Sequence, residues 1–277
     1  MSAPLLWLLG ALVLLVVVTT TMASARVDAR DIAWLAGRRP PADEAAVYRR
    51  YLARHRSHRV VGAWFGVALA VVWGLTYQHQ VNLGIGNGSP LGDVLFCGVA
   101  GMMLGALSAE TYRLAEPRTD HAFASLLGHP TSPPGAAVGT ARCLAGAAVL
   151  VGVVVLAATG SPASLVVALT GTVLVGIGEA IRAAVIGRRR PLLSTAAAEV
   201  DLRIRSYAWG AAGHLEVAAA ALAAGWAVSR IPSDRFGWLQ LLAVVGLLLL
   251  TLVALHRARP RPPRTFRVST VRRPLAS

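Results

Sequence analysis

Residues 38–59, RRPPADEAAVYRRYLARHRSHR, form an arginine-rich segment that separates two apolar runs. A weaker version of it, RRPLLSTAAAEVDLRIRS, occupies residues 189–206. Arginine and lysine accumulate in the cytoplasmic loops of membrane proteins, so such segments set the direction in which a chain crosses the bilayer. The two segments therefore organise the topology of the chain, and they indicate no reaction.

The composition favours a protein that is solvated by lipid. Of the 277 residues, 55% are hydrophobic and 14% are charged, whereas soluble domains are about 45–50% apolar and about 25% charged. All 27 basic residues are arginines, and the net charge is +14. In a soluble protein that charge would indicate nucleic acid. Here the arginines flank apolar runs, so we predict no nucleic-acid partner.

A transmembrane helix needs about 20 mostly apolar residues, and seven segments approach that length. We expect an all-α integral membrane protein with spans at about residues 5–22, 60–77, 94–109, 143–159, 164–181, 207–228 and 238–255. The spans would form one transmembrane domain over residues 1–259. Residues 260–277, rich in arginine and proline, would be a basic, disordered cytoplasmic tail.

The arginines also predict the orientation. With the N-terminus outside and the C-terminus in the cytoplasm, all but Arg230 and Arg235 of the 27 arginines lie in inner segments. The alternative is that residues 5–22 are a signal peptide, cleaved near Ala23-Ser24-Ala25. Cleavage would send the following arginines outside, so a retained first span is the preferred interpretation.

Part of the arginine-rich segment has the pattern of an amphipathic helix. One face at helical spacing consists of Ala45, Tyr48, Leu52 and His55. The other positions include the basic residues Arg49, Arg50, Arg54 and Arg56. This pattern predicts a helix on the inner leaflet whose arginines contact anionic lipid. A solvated arm with no orientation of its own is the alternative.

The two arginine-rich segments also suggest an internal repeat. RRP occurs at residues 38–40 and 189–191, and RHRS at residues 54–57 is echoed by RIRS at residues 203–206. The repeat would be parallel, with three spans, a linker span and three spans. Parallel repeats occur in transporters. The alternative is chance likeness between arginine-rich flanks.

Small residues mark one face of the third span. Gly101, Gly105 and Ala109 recur every four residues. Such a face lets two helix backbones approach closely, so we predict helix packing at this face.

Glu-x-x-Arg occurs twice, each time at the cytoplasmic end of a predicted span. The pairs are Glu110 with Arg113 and Glu179 with Arg182. Residues three apart are neighbours on a helix, so each pair is predicted to be a local interfacial ion pair. A gate or a partner-docking pair is the functional alternative.

Ionisable residues inside spans are the candidates for function. Glu216 lies eleven residues after Arg205, which is about 16 Å along a helix and approaches the midplane. It could couple transport to protons or cations, or form a structural hydrogen bond. His214 lies two residues earlier, on a different face of the helix.

No catalytic constellation, metal site or cofactor site is visible, so we expect a protein that is not an enzyme. The preferred function is an accessory or interaction subunit of the plasma membrane. Its arginine-rich inner face would bind anionic lipid or an acidic membrane-protein partner. The alternative is a small-solute permease with proton coupling at Glu216.

Two segments carry a resemblance to a known group of proteins. They are LSAETYRLAEPR at residues 107–118 and GRRRPLLSTAAAEVDLRIRSYAWGAAGH at residues 187–214. Together with the alanine-, valine- and leucine-rich spans, the chain resembles uncharacterised actinobacterial multi-pass membrane proteins over most of residues 37–230. The resemblance implies a plasma-membrane setting and no substrate.

Overall fold

A computed structural model describes residues 16, 19–20, 23, 26–76, 90–111, 135–187, 195–229, 231, 237–263 and 265–266. These residues are helical apart from short connections and contain no strand, which confirms the all-α prediction for this part of the chain. The helices are α1 Ala29–Ala36, α2 Ala42–Thr76, α3 Pro90–Thr111, α4 Ala136–Thr159, α5 Ala163–Gly187, α6 Thr195–Ser229 and α7 Gly237–Arg257. Most of the predicted first span and Arg113 lie outside the described residues.

Four helices are long and apolar enough to cross a membrane, namely α4, α5, α6 and α7. They contain the predicted spans 143–159, 164–181, 207–228 and 238–255. The predicted spans 60–77 and 94–109 lie on α2 and α3. In the described part of the chain these two helices do not reach the same apolar length, and the apolar part of α3 is Phe96–Glu110.

Helix α6 is the centre of the bundle. In its apolar stretch 89% of the residues are buried, compared with 22–33% in α4, α5 and α7. It packs against all three of those helices. Its buried residues are mostly alanines, including Ala218, Ala220 and Ala227, which are fully buried. Small side chains let the surrounding helices approach the central one closely.

Helices α2 and α3 pack through glycines on both sides. A Cβ added at Gly101 would overlap the carbonyl oxygen of Gly62, and one added at Gly105 would overlap that of His58. Ala109 is 2% exposed. The predicted close packing at this face of α3 is therefore confirmed, with Gly62 and Gly66 of α2 as the matching small residues.

Two glycines end helices in the left-handed conformation that favours glycine. Gly37 follows α1 with φ 64°, and Gly160 follows α4 with φ 70°. The Gly160 N–H donates to the Leu156 carbonyl at 2.8 Å. Residues 160–162 then connect α4 to α5, so the two helices form a tight hairpin.

Helices α2 and α6 each continue beyond the apolar bundle at their N-terminal ends. Together with α1 and the chain after α7, these extensions form what we call the basal layer: residues 29–36, 42–59, 195–207 and 258–263. Its core is built mainly from large side chains, namely Ile32, Leu35, Tyr48, Tyr51, Leu52, Val200 and Ile204.

The basal layer corrects the prediction of an amphipathic helix on the inner leaflet. The face with Tyr48, Leu52 and His55 is at most 1% exposed. The aromatic and aliphatic residues of this face pack against α1 and α6 within the protein. The segment is also not a separate helix, because α2 runs without a break from Ala42 to Thr76. Tertiary packing thus buries the face that the sequence pattern assigned to lipid.

Candidate functional site

The strongest concentration of polar contacts between apolar helices joins α4, α5 and α6. The guanidinium of Arg142 on α4 donates two hydrogen bonds to the carboxylate of Glu179 on α5. Nε donates to Oε1 at 2.5 Å and Nη2 donates to Oε2 at 2.9 Å. Arg182 of α5 lies with its Nε 3.3 Å from Oε1 of Glu216 on α6. The predicted local pair between Glu179 and Arg182 is therefore wrong. Glu179 pairs with Arg142 on α4, and Arg182 pairs with Glu216 on α6.

The two pairs lie in different surroundings. The side chains of Arg142 and Glu179 are 56% and 29% exposed. Those of Arg182 and Glu216 are 11% and 0% exposed. Removing one partner of a buried ion pair lowers the stability of the fold strongly, because the remaining charge has neither water nor a counter-charge. Removing one partner of the Arg182–Glu216 pair should therefore cost more stability than removing one partner of the Arg142–Glu179 pair.

Glycine makes room for the Glu216 side chain. A Cβ added at Gly178 of α5 would lie 2.6 Å from Cγ of Glu216. The Arg182 guanidinium also lies 5.9 Å from the centre of the Trp209 ring, close enough for a cation–π contact. Within the described residues, Oε2 of Glu216 and Nε1 of Trp209 are buried without a hydrogen-bond partner.

His214 does not share this site in the described structure. It is half-buried, whereas Glu216 is 1% exposed. No hydrogen bond or ion pair between the two is found in the part of the chain that the structure describes. The chemistry available to Glu216 is thus that of a carboxylate held by one arginine, with one oxygen left to accept a further hydrogen bond.

A second buried polar cluster lies where α2, α3 and α6 meet. The Tyr51 hydroxyl donates to Oε1 of Glu110 at 2.6 Å, and Glu110 is 3% exposed. Nε2 of His55 lies 3.6 Å from the same oxygen, too far for a hydrogen bond. The Tyr207 ring meets those of Tyr51 and His55 edge-on, at 6.1 and 5.9 Å between centroids.

His55 is neutral in this cluster. Burial, followed by the nearby Arg59 charge, lowers the pKa of His55 to about 3. The contact with Glu110 is therefore not an ion pair at neutral pH. The sequence pattern indicated that Tyr51 and His55 lie on a helix, but nothing in it indicated that they meet Glu110 and Tyr207 from distant parts of the chain.

Two arginines of α2 hold the chain that follows α7. Arg56 donates to the Pro260 carbonyl from Nε at 3.0 Å and from Nη2 at 2.7 Å. It also donates to the Arg26 carbonyl and pairs with Asp31 at 2.9 Å. Arg59 donates to the Ala258 carbonyl at 2.6 Å. The bonds to Ala258 and Pro260 satisfy carbonyls after the end of α7, and the Tyr207 hydroxyl also donates to the Ala258 carbonyl at 3.2 Å.

These contacts correct two expectations. Arg56 was predicted to face lipid, but it is 5% exposed and bound within the protein. Arg49 and Arg50 are exposed as expected of surface arginines, and Arg54 is half-exposed. The tail was predicted to be disordered from residue 260, but Pro260 and Pro262 are buried, so its first residues are ordered. Residues 267–277 lie outside the described part.

The described cysteines and acidic residues do not form a recognisable metal site. Cys97 and Cys143 are free thiols. Among the described residues no group of three or more His, Cys, Asp or Glu side chains could hold a metal ion.

Comparison of this chain with protein-family models, with curated proteins and with solved structures found no match. Its four membrane-capable helices indicate a membrane protein. Further functional assignment depends on the contacts described above.

Proposed function

We propose that this protein is an interaction subunit of the plasma membrane. It would cross the bilayer seven times, with the basal layer in the cytoplasm, and present exposed arginines to an acidic partner or to anionic lipid. The observation that carries the proposal is the basal layer, a packed structure of large side chains outside the apolar bundle. We also propose that the chain belongs with the actinobacterial membrane proteins that it resembles.

The orientation is supported by the direction of the helices. The basal layer contains the N-terminal parts of α2 and α6 and the end of α7. Glu110, near the end of α3, also contacts it through Tyr51. The described parts of the arginine-rich segments, residues 38–59 and 195–206, thus lie at one end of the molecule, which is the distribution that a cytoplasmic face requires.

The same arrangement supports the parallel repeat. Helices α2 and α6 are both 35 residues long. Their N-terminal parts meet through Tyr51 and Tyr207. Two helices of equal length that begin in one layer are what a repeat of three spans, a linker span and three spans would give.

The exposed arginines are the proposed recognition surface. Arg39, Arg49 and Arg50 are exposed, whereas Arg56 and Arg59 are buried by contacts within the chain. Arginines already bonded to carbonyls cannot serve a partner, so the free surface of α2 is the better candidate. An anionic membrane surface attracts nearby basic residues by about 1 kcal/mol each.

Reversing these charges tests the proposal. A tagged wild-type chain and an R49E/R50E chain are compared by cross-linking in native membranes, followed by capture and identification of bound proteins. We expect the wild type to retain a specific membrane-protein partner that R49E/R50E loses, with R49Q/R50Q in between. An identical set of bound proteins for all three, together with solute transport by the purified chain alone, would contradict the proposal.

The alternative function is a small-solute permease with proton coupling at Glu216. It is favoured by the buried Oε2 of Glu216, which has no described hydrogen-bond partner. It is opposed by Arg182, because protonating Glu216 would leave that arginine largely buried without its partner carboxylate. Loss of pH-linked uptake in Glu216→Gln, in a chain that still folds, would support the permease. Unchanged uptake would remove it.

A further inference from the structure

We infer that the outer face of the α4–α5 hairpin is an interface between two copies of this chain, related by a two-fold axis perpendicular to the membrane. The inference rests on α4 and α5 crossing the bilayer, and it does not depend on the partner proposed above. The observation that leads to it is the exposed Arg142–Glu179 pair.

The pair lies near the inner ends of two predicted spans. Arg142 is 17 residues before the end of α4, and Glu179 is 16 residues after the start of α5. At 1.5 Å per residue, the pair is about 25 Å from the turn at residues 160–162. The hydrocarbon core is about 30 Å thick, so the pair lies inside it, near its inner edge. At this position the long Arg142 side chain can reach the interface, whereas the shorter carboxylate of Glu179, which lies within its span, favours a protein neighbour.

The surface beside the pair is shaped to receive another helix. Gly139 and Gly146 of α4 and Gly176 of α5 are exposed, and a Cβ added at any of them would meet no atom within 4 Å. Helices α4 and α5 run in opposite directions, and Arg142 contacts Glu179. One helical turn closer to the connection at residues 160–162, Gly146 and Gly176 therefore lie nearly opposite each other. Glycine destabilises a helix by about 1 kcal/mol relative to alanine. Close packing of another helix against these glycines would offset that cost.

Charge complementarity identifies the occupant as a second copy. A two-fold axis along the membrane normal keeps every residue at its own depth. Arg142 and Glu179 are at one depth, because they bind each other. Across such an axis, Arg142 of one copy faces Glu179 of the other, so that two internal pairs combine into a ring of four alternating charges. A second copy of this chain therefore supplies all the charges that match this face.

Charge reversal in mixed pairs tests this inference directly. Two differently tagged copies are co-expressed, and capture of one tag is scored for the other. We expect wild type to capture wild type, and R142E with R142E, or E179R with E179R, to be weakened about tenfold or more. R142E should capture E179R nearly as well as the wild-type pair.

The mixed pair separates the interface from the internal contact. In R142E the residues at 142 and 179 are both acidic within one chain, and in E179R both are basic, so neither chain regains its internal pair. Recovery in the mixture can arise only between chains. If the single variants lose capture and the mixture does not recover it, the pair acts within one chain and the inference is wrong.

A second measurement covers the case in which the charge variants fold poorly. Cys143 is exposed and follows Arg142 in the chain, so a short bifunctional maleimide should cross-link two wild-type copies in native membranes. Cys143→Ala should abolish the dimer band and Cys97→Ala should retain it. Gly146→Leu fills the open space beside Gly146 and should reduce cross-linking several-fold, while the monomer still folds. Absence of a wild-type dimer by both methods would overturn the inference.

Discussion

The interior of the apolar bundle contains a larger share of small residues than the interior of the basal layer. The basal layer buries Tyr48, Leu52 and Ile204, as a water-soluble protein does. The bundle buries many alanines and glycines beside a few large residues such as Met103 and Trp226, while Phe65 and Leu150 are 69% and 65% exposed. Large apolar side chains gain nothing by leaving lipid, so membrane helices pack through small residues. The contrast supports the proposal that lipid solvates the bundle and water solvates the basal layer.

The largest expected effect of this contrast concerns ion pairs on α6. Arg182→Ala leaves Glu216 buried without its partner, which should lower the free energy of unfolding by about 3–5 kcal/mol. Arg203 binds Glu199 on the same helix in the basal layer, with side chains 38% and 45% exposed. Arg203→Ala should therefore cost less than about 1 kcal/mol.

The measurement is SDS-induced unfolding of the purified variants in mixed micelles. Equal losses for Arg182→Ala and Arg203→Ala would show that both pairs are equally hydrated, against the distinction between the two regions.

The next effect concerns the small residues inside the bundle. A side chain at Gly101 would collide with backbone atoms of Gly62 and Gly66, which cannot move without separating α2 from α3. Gly101→Leu should cost about 3 kcal/mol or more. Gly246 of α7 has nothing within 4 Å of an added Cβ, so Gly246→Leu is the matched control.

Thermal aggregation of the two glycine variants in detergent measures this difference. If Gly101→Leu is as stable as Gly246→Leu, helices α2 and α3 do not pack through their backbones.

A smaller effect is expected from pH in the basal layer. Because burial lowers the pKa of His55 to about 3, the unfolded chain binds a proton near pH 6.5 and the folded chain does not. Stability is therefore fully present above about pH 6.5 and is lost as the pH falls toward 3. Between pH 7 and pH 5 the loss should be on the order of 2 kcal/mol.

His55→Gln should remove most of this pH dependence, while the same change at the exposed His256 should not. The check is the unfolding free energy of the three proteins at pH 7 and pH 5. A wild-type slope that persists in His55→Gln would mean that another group takes up the proton.

The sequence predicted the apolar helices well, and the reasons are local. Each of α4, α5 and α7 is apolar over about 20 residues, which is enough to identify a span. It did not predict that α2 and α6 continue through the arginine-rich segments. That continuity depends on Tyr48, Leu52 and Ile204 packing together, and these residues come from distant parts of the chain.

The partners of the charged residues could not be read from the sequence for the same reason. Spacing three apart suggested that Glu179 pairs with Arg182, but a side chain between packed helices can reach a neighbour as easily as its own helix. Arg56 was expected to contact lipid because it lies off the apolar face of the predicted amphipathic helix. Its targets are the carbonyls of Arg26 and Pro260, which no side-chain pattern marks.

The central claim is that the basal layer lies in the cytoplasm and that the bundle crosses the membrane. Single cysteines at Ser161, in the turn between α4 and α5, and at Arg49 test it most directly in a chain that carries Cys97→Ala and Cys143→Ala. In sealed right-side-out vesicles, a membrane-impermeant maleimide should label the cysteine at position 161 and should label that at position 49 only after permeabilisation. Labelling of position 49 in sealed vesicles, or equal labelling of both, would contradict the account.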